Sequence, residues 1–314
     1  MKFSKRVVVA LGGNAILQPK EKGSSEEQFN NVEKTCRQIA GMIKKGFKVI
    51  VTHGNGPQVG NILIQNEKAK DIVPAMPLDV CGAESQGQIG YMIQQRLDNL
   101  FKEMSISYSV ATIITQVAVN KEDLAFTHPT KPIGPFYTEK EAKEFMKKNK
   151  EKWIEDSGRG WRRVVPSPEP IGIVEKKAIK ALLKKNIVVI ASGGGGIPVI
   201  KKDGGFQGVE AVIDKDLAGE RLAFDVKADI FMMLTDVPKV AINFGKSYQK
   251  DLDRMNLSQA KTYLKEDHFP PGSMGPKVKA AIKFVESGGE YAIICSLKQA
   301  LNALEGKAGT WIVA

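Results

Sequence analysis

The chain has 314 residues, with 46 Lys and Arg against 35 Asp and Glu, a formal charge of +11. That length suits one large or two modest domains, and 42 % hydrophobic content with 30 glycines excludes a disordered chain. No apolar run approaches the roughly 18 residues of a membrane span, and the basic start Met1-Lys2-Phe3-Ser4-Lys5-Arg6 lacks the apolar core of a signal peptide. A soluble cytoplasmic chain without membrane contact is expected.

The first predicted element is a buried strand at Arg6–Leu11, followed by Gly12-Gly13-Asn14. Ser24 and Glu27 have the spacing of a capping box, and Phe29, Val32, Cys36, Ile39, Ala40 and Ile43 then share one helical face that ends at Gly46. Lys48–Thr52 is the second strand, closed by Gly54-Asn55-Gly56-Pro57, with Pro57 suited to the first turn of a helix. A helix through Ser85–Phe101 and a strand at Ala111–Thr115 follow. From Val117 to Pro170 the rhythm breaks into a stretch rich in Pro, aromatics and charge, read as an inserted protruding subdomain or lid within a single 1–314 domain.

The alternation resumes with a helix over Val174–Lys185, a strand over Ile187–Ser192, the run Gly193-Gly194-Gly195-Gly196, and a hairpin turning at Asp203-Gly204. Asp214-Lys215-Asp216 precedes a helix, Asp229–Thr235 is a strand running into Asp236, Gly275–Glu286 a helix, and Tyr291–Cys295 a strand. Leu297–Leu304 reads as helical and Thr310–Ala314 as a last edge strand. Short β-branched runs alternating with helices predict an α/β fold with a mainly parallel sheet.

Cys36, Cys81 and Cys295 are odd in number and widely spaced, and His53, His128 and His268 are scattered. Neither a disulfide framework nor a dedicated metal site is expected. The positive charge fits nucleic acid, an anionic small substrate or a lysine-rich solvated face. Lys alternates with Glu around Lys140–Lys152, and zinc-finger and aromatic-interleaved RNA motifs are missing, so no nucleic-acid partner is expected.

Three glycine clusters follow predicted parallel strands, where ligands of open α/β sheets sit. Glycine lets backbone N–H groups approach an anion, and a following helix N-terminus adds partial positive charge. An anion site is therefore expected at Gly12-Gly13, Gly54-Asn55-Gly56 and Gly193–Gly196. The sequence holds no G-x-x-x-x-G-K-[ST], and Val59 stands where G-x-G-x-x-G requires glycine, so phosphate handling would need another scheme.

Six segments, in order, resemble the carbamate kinase branch of the amino-acid kinase superfamily. They are Val8-Val9-Ala10-Leu11-Gly12-Gly13-Asn14-Ala15, Thr52-His53-Gly54-Asn55-Gly56-Pro57-Gln58-Val59-Gly60, and Pro129-Thr130-Lys131-Pro132-Ile133-Gly134. Gly158-Arg159-Gly160-Trp161-Arg162-Arg163 with Val164-Val165-Pro166-Ser167-Pro168, Val212-Ile213-Asp214-Lys215-Asp216 and Gly272-Ser273-Met274-Gly275-Pro276-Lys277 complete the set.

The resemblance implies an αβα sandwich with a protruding subdomain, a homodimer, and reversible phosphoryl transfer between ATP and carbamate that yields ADP and carbamoyl phosphate. It also implies Mg²⁺ carried on the nucleotide, with ATP formation in arginine catabolism as the cellular direction. By the same resemblance, Lys131 reaches the transferred phosphoryl group, Lys215 lies between donor and acceptor, Lys277 stabilises nucleotide phosphates and Asp216 orients the lysines. Gly12, Gly13, Asn14, Gly54, Asn55 and Gly56 would hold carbamate. Gly194, Gly195, Asp214, Thr235, Asp236, Phe244, Met274 and Gly275 would face the nucleotide, with Asp214 alternatively a helix cap.

Two positions depart from the pattern. Ala10 stands where the wider superfamily has a lysine, which fits the carbamate branch, and Phe244 lacks the hydroxyl of the tyrosine usual beside the adenine. A kinase for another acceptor and a catalytically silent nucleotide sensor are the rival readings. The three lysines with Asp216 speak against the sensor.

Overall fold

The computed structural model describes residues 4–149, 151–156, 158–270 and 272–314. Met1, Lys2 and Phe3 of the basic start, and Lys150 of the Lys–Glu run, lie outside the described residues. The centre is an eight-stranded sheet in the order Arg254–Asn256, Thr310–Val313, Tyr291–Ser296, Ile230–Thr235, Arg6–Leu11, Lys48–His53, Ile187–Ile190, Ser109–Thr112. Every neighbouring pair is parallel except Tyr291–Ser296 with Thr310–Val313.

Parallel strands covered on both faces need continuous apolar runs, and Val7, Val8 and Val9 are all fully buried. Side chains alternate between two cores. Val8 and Ala10 face helices Lys176–Leu183, Lys215–Asp225 and Met274–Glu286, while Val7, Val9 and Leu11 face helices Ser25–Lys44, Leu78–Glu103 and Ala300–Leu304. The result is the mainly parallel α/β sheet expected from the alternation, in the three-layer αβα sandwich that the resemblance implies.

Several local signals act as predicted. Ser24 and Glu27 form a reciprocal capping box on Ser25–Lys44, a device that stabilises a helix start by about 1 kcal/mol. Asp203 and Gly204 both take positive φ in the hairpin between Ile197–Lys202 and Gly205–Gly208. Cys36 and Cys295 lie in the core.

Other boundaries differ. The helix predicted from Ser85 begins at Leu78, and the strand predicted at Ala111–Thr115 is Ser109–Thr112. Thr115 instead bonds the Gln86 side chain through its backbone N–H, at 2.8 Å, and accepts the Ser192 N–H on its hydroxyl. Thr310–Val313 is not an edge strand, because Arg254–Asn256 pairs outside it and leads into helix Leu257–Lys265.

At the two ends of the 117–170 stretch, Gln116–Val119 and Pro170–Ile173 join the Ile197–Lys202 hairpin in a four-stranded sheet. Between them, Lys131–Tyr137, Trp161–Val165 and Lys152–Glu155 make a separate three-stranded sheet, accompanied by helix Glu139–Asn149. Tyr137, Phe145 and Trp153 pack together there with ring centroids 5.2–5.3 Å apart.

The chain order reverses beside Arg6–Leu11, with Lys48–His53 on one side and the much later Ile230–Thr235 on the other. Such a switch point is where α/β sheets open a crevice at the carboxyl ends of their strands. The ladders run straight into the glycine turns, since the Gly12 N–H donates to the Leu234 carbonyl and the Gly54 N–H to that of Leu11.

Candidate active site

A cavity of about 260 Å³ lies at these strand ends. Gly13, Gly54, Asn55 and Gly56 line it, as do Gly194, Lys131, Asp214, Lys215, Asp216 and Lys277. Three helices begin at its wall, Gly56–Ala69, Lys215–Asp225 and Met274–Glu286. The dipoles of their N-termini make the wall favourable to anions.

Glycine is needed here for close approach. A Cβ on Gly54 would meet the stem of Lys215 at 3.1 Å, and one on Gly194, at φ +66, would collide with the Asn55 amide. A Cβ on Gly13 or Gly56 would meet nothing within 4 Å. Beneath the turn, buried His53 donates from Nδ1 to the Gly54 carbonyl at 2.9 Å. Burial lowers its pKa to about 4, so it serves the turn as a neutral ring.

The charged groups form two linked sets. Asp216 is 3 % exposed and accepts from Lys215 at 3.0 Å and Lys277 at 2.9 Å. Asp214 caps helix Lys215–Asp225, taking the Asp216 N–H on Oδ1 at 2.9 Å, and holds Lys131 on Oδ2 at 2.9 Å. The helix-cap role weighed for Asp214 from the sequence is thus carried by one oxygen, and the other oxygen pairs with Lys131.

Burial pushes the Asp214 carboxyl up, but Lys131 and Lys215 outweigh it and leave it below the usual carboxylate range. Burial works against charge on Lys215 too, and Asp216 and Asp214 overcome it, holding that ammonium above the ordinary lysine value. Lys277 goes the other way. Burial lowers it, neighbouring Lys215 adds to the effect, and Asp216 only partly compensates.

The remaining sequence-predicted residues divide. Asn14 donates its amide N–H to the Asp236 carboxylate across the ends of two adjacent strands. Gly12 packs close under the Leu234 carbonyl, and Thr235 ends its strand beside it. Gly195 is buried under the Ile213 carbonyl and does not line the cavity. Phe244 and Met274 line a second, smaller cavity of about 90 Å³ with Phe269 and Lys239, and Ser273 borders both cavities. Gly275 supports the loop between them by donating to the Pro270 carbonyl at 2.9 Å.

Sequence reasoning assigned no role to Arg162 or Ser273, although both stand in quoted motifs and both line the main cavity. Among the described residues, no group of three or more His, Cys, Asp or Glu could hold a metal ion, and no helix is long and apolar enough to cross a membrane.

The amino acid kinase family model matches residues 5–296. A carbamate kinase of Thermococcus kodakarensis is 57 % identical over 312 residues, covering 98 % of this chain and 99 % of that protein. The solved structure of carbamate kinase from Giardia lamblia bound to AMP-PNP superposes with a TM-score of 0.94 at 50 % identity, over 100 % of this chain and 99 % of that one. A UMP kinase from Ureaplasma parvum, at 15 % identity and a TM-score of 0.53, shares the fold alone, over 99 % of each chain.

Proposed function

The chain belongs to the amino acid kinase family, in its carbamate kinase branch, and we propose that it moves a phosphoryl group reversibly between ATP and carbamate, forming ADP and carbamoyl phosphate. Such a transfer asks the protein for in-line placement and for cancellation of charge on the moving group and the ADP oxygen. Carbamate attacks as its anion, so no general base is required. The turns at Gly12-Gly13-Asn14 and Gly54-Asn55-Gly56 receive carbamate. Lys131 contacts the transferred phosphoryl group from the protruding subdomain, Lys215 lies between donor and acceptor, and Lys277 meets the nucleotide phosphates. Asp216 is a positioning residue for the last two. The base extends toward Phe244 and Met274, past Ser273, which joins the two cavities.

A divalent cation, Mg²⁺, fits this donor set when carried on the nucleotide. Mg²⁺ is usually held by substrate phosphates, waters and one or two carboxylates, and the cavity offers two, Asp214 and Asp216. Bound there, it would neutralise charge on the phosphates. We read residues 117–170 as a lid, supported by Lys131, Ile133 and Arg162 reaching the cavity wall from them. We also read the working protein as a cytoplasmic homodimer. Its three cysteines are all buried and free, and Val80 and Tyr91, 38 % and 58 % exposed, present apolar surface from one face of helix Leu78–Glu103.

The observation that carries the reading is Asp216 holding two lysines in the same cavity as the Lys131–Asp214 pair. A coupled assay for ATP made from ADP, Mg²⁺ and carbamoyl phosphate tests it. Folded protein with no turnover above background refutes it.

A further inference from the structure

Lys131 reaches the cavity from a strand whose pairing is irregular. Ile133 opposes Arg163 and Tyr137 opposes Trp161, so Gly134, Pro135 and Phe136 together face a single residue, Arg162. A bulge of this kind bends a strand and loosens its ladder. Pro135 has no N–H to give to the ladder, and Gly134 takes φ +70. Lys131, Pro132 and Ile133 stay in register with Val165, Val164 and Arg163, but the backbone from Gly134 to Phe136 draws little restraint from regular pairing.

The Arg162 side chain supplies that restraint. Its Nε donates to the Gly134 carbonyl at 3.1 Å and one terminal nitrogen to the Pro132 carbonyl at 3.3 Å. The other terminal nitrogen bonds Asp156 at 3.1 Å, and the Phe136 ring lies 5.2 Å from the guanidinium carbon. A planar guanidinium spreads five donors in a fixed fork, which lets it bond three partners at once. Gly134 is also where the subdomain meets the body of the protein, since a Cβ on Gly60 of helix Gly56–Ala69 would lie 3.9 Å from the Gly134 Cα. Fixing Gly134 thus fixes the strand against the helix that begins at the acceptor end of the cavity.

We propose that Arg162 is a positioning residue that acts through Lys131, holding the bulged strand so that the Lys131 ammonium stands at the reaction centre. This rests on the reading in which Lys131 contacts the transferred phosphoryl group. Arg162 needs no contact with substrate in this role. Displacing a contact by about 1 Å can cost up to ~100-fold in rate, which sets the scale for losing the clamp.

The test uses the full chain and the ATP-forming assay. Arg162→Gln is expected to lower kcat ~10- to 100-fold with KM for ADP little changed. Arg159→Gln is the control. Arg159 bonds the same Asp156 and lies over the same ring but reaches neither carbonyl, so its kcat should match the unaltered protein. The double variant Arg162→Gln/Lys131→Met is expected to be no slower than Lys131→Met alone, because both changes remove one contact. Losses that multiply beside a slow Lys131→Met overturn this inference and leave the Lys131 reading standing. A full rate in Arg162→Gln, or an equal loss in Arg159→Gln, also overturns it. A full rate in Lys131→Met overturns the underlying reading and this inference with it.

Discussion

Replacing Asp216 with asparagine keeps the shape of the side chain and removes the charge between two lysines. Asp216 is 3 % exposed and lies 2.9 Å from Lys277 and 3.0 Å from Lys215. At an effective dielectric of about 20, each contact is an attraction of about 5 kcal/mol, of which desolvation offsets a large part. Removing one partner of a buried pair costs about 3–5 kcal/mol. Lys215 keeps Asp214 as a second anionic neighbour, which argues for the lower end. With an unfolding entropy of about 2.1 cal/mol/K per residue, a 314-residue chain should then melt about 5 °C lower. The deficit should also depend on pH. Lys277 already holds its proton less firmly than an ordinary lysine, and without Asp216 its folded-state pKa falls further. The folded chain then binds fewer protons than the unfolded one between that value and the ordinary 10.5, so stability rises with pH in this window. Thermal melts of Asp216→Asn at pH 7 and pH 9.5, beside kcat for ATP formation, read both effects. The gap to the unaltered protein should narrow at the higher pH, and kcat should fall ~100-fold or more as the lysines lose their orientation. A variant that melts and turns over like the unaltered protein refutes the reasoning.

Lys131→Met and Lys215→Met should each lower kcat by ~100-fold or more. For Lys131, whose side chain is 36 % exposed, the melting temperature should hardly move. Glu220 sits 5 % exposed on helix Lys215–Asp225, with Lys283, Arg221, Glu169 and Asp225 as charged neighbours, and burial raises its pKa to about 7. The folded chain therefore keeps a proton that the unfolded chain releases, so stability should fall as pH rises from 4.5 to 7 and then level off, by about 3 kcal/mol in all. Glu220→Gln should melt higher than the unaltered protein at pH 8 and match it near pH 4.5, and equal melts at pH 8 would contradict the buried-proton account. Limited proteolysis within residues 117–170 should slow when nucleotide is added, and cleavage indifferent to nucleotide would remove the lid reading.

The parts of the fold legible in the sequence are those set by local chemistry. Val7–Leu11 and Ile187–Ile190 announce strands buried on both faces, and the glycines after them announce turns where backbone comes close to other groups. What escaped depends on distant partners. Arg254–Asn256 is three residues long and is a strand only because Thr310–Val313 lies beside it. Helix Leu78–Glu103 starts after Pro77, which gives no side-chain cap to mark the boundary. In the site, the motifs singled out Asp214 and Asp216 and raised the helix-cap role of Asp214, but not that its other oxygen grips Lys131. The bond from Asn14 to Asp236 joins residues read separately as acceptor-side and nucleotide-side. Arg162 was visible as part of a motif, yet its role follows from a three-against-one bulge that only the register reveals.

The same geometry sharpens the meaning of the +11 charge. Many of the 46 cationic side chains sit in surface pairs such as Arg37 with Glu33 and Glu103, or Lys143 with Glu139, where their charge is cancelled, and such pairs contribute little to stability. In the linked set of the cavity, three lysines face two aspartates, a sum of one positive charge before any ligand enters, while Arg162 of the cavity wall is paired with Asp156 outside it. That balance suits a site that must handle polyanions reversibly. With no aspartates, three ammonium groups would repel one another and lose their positions. With a third, incoming phosphate would meet no net attraction. In the proposed reaction, the aspartates hold the lysines in place beforehand, and the phosphoryl oxygens supply the remaining negative charge as they arrive. Burial and Lys215 disfavour the charged form of Lys277, and in the proposed reaction phosphate beside it would favour that charge.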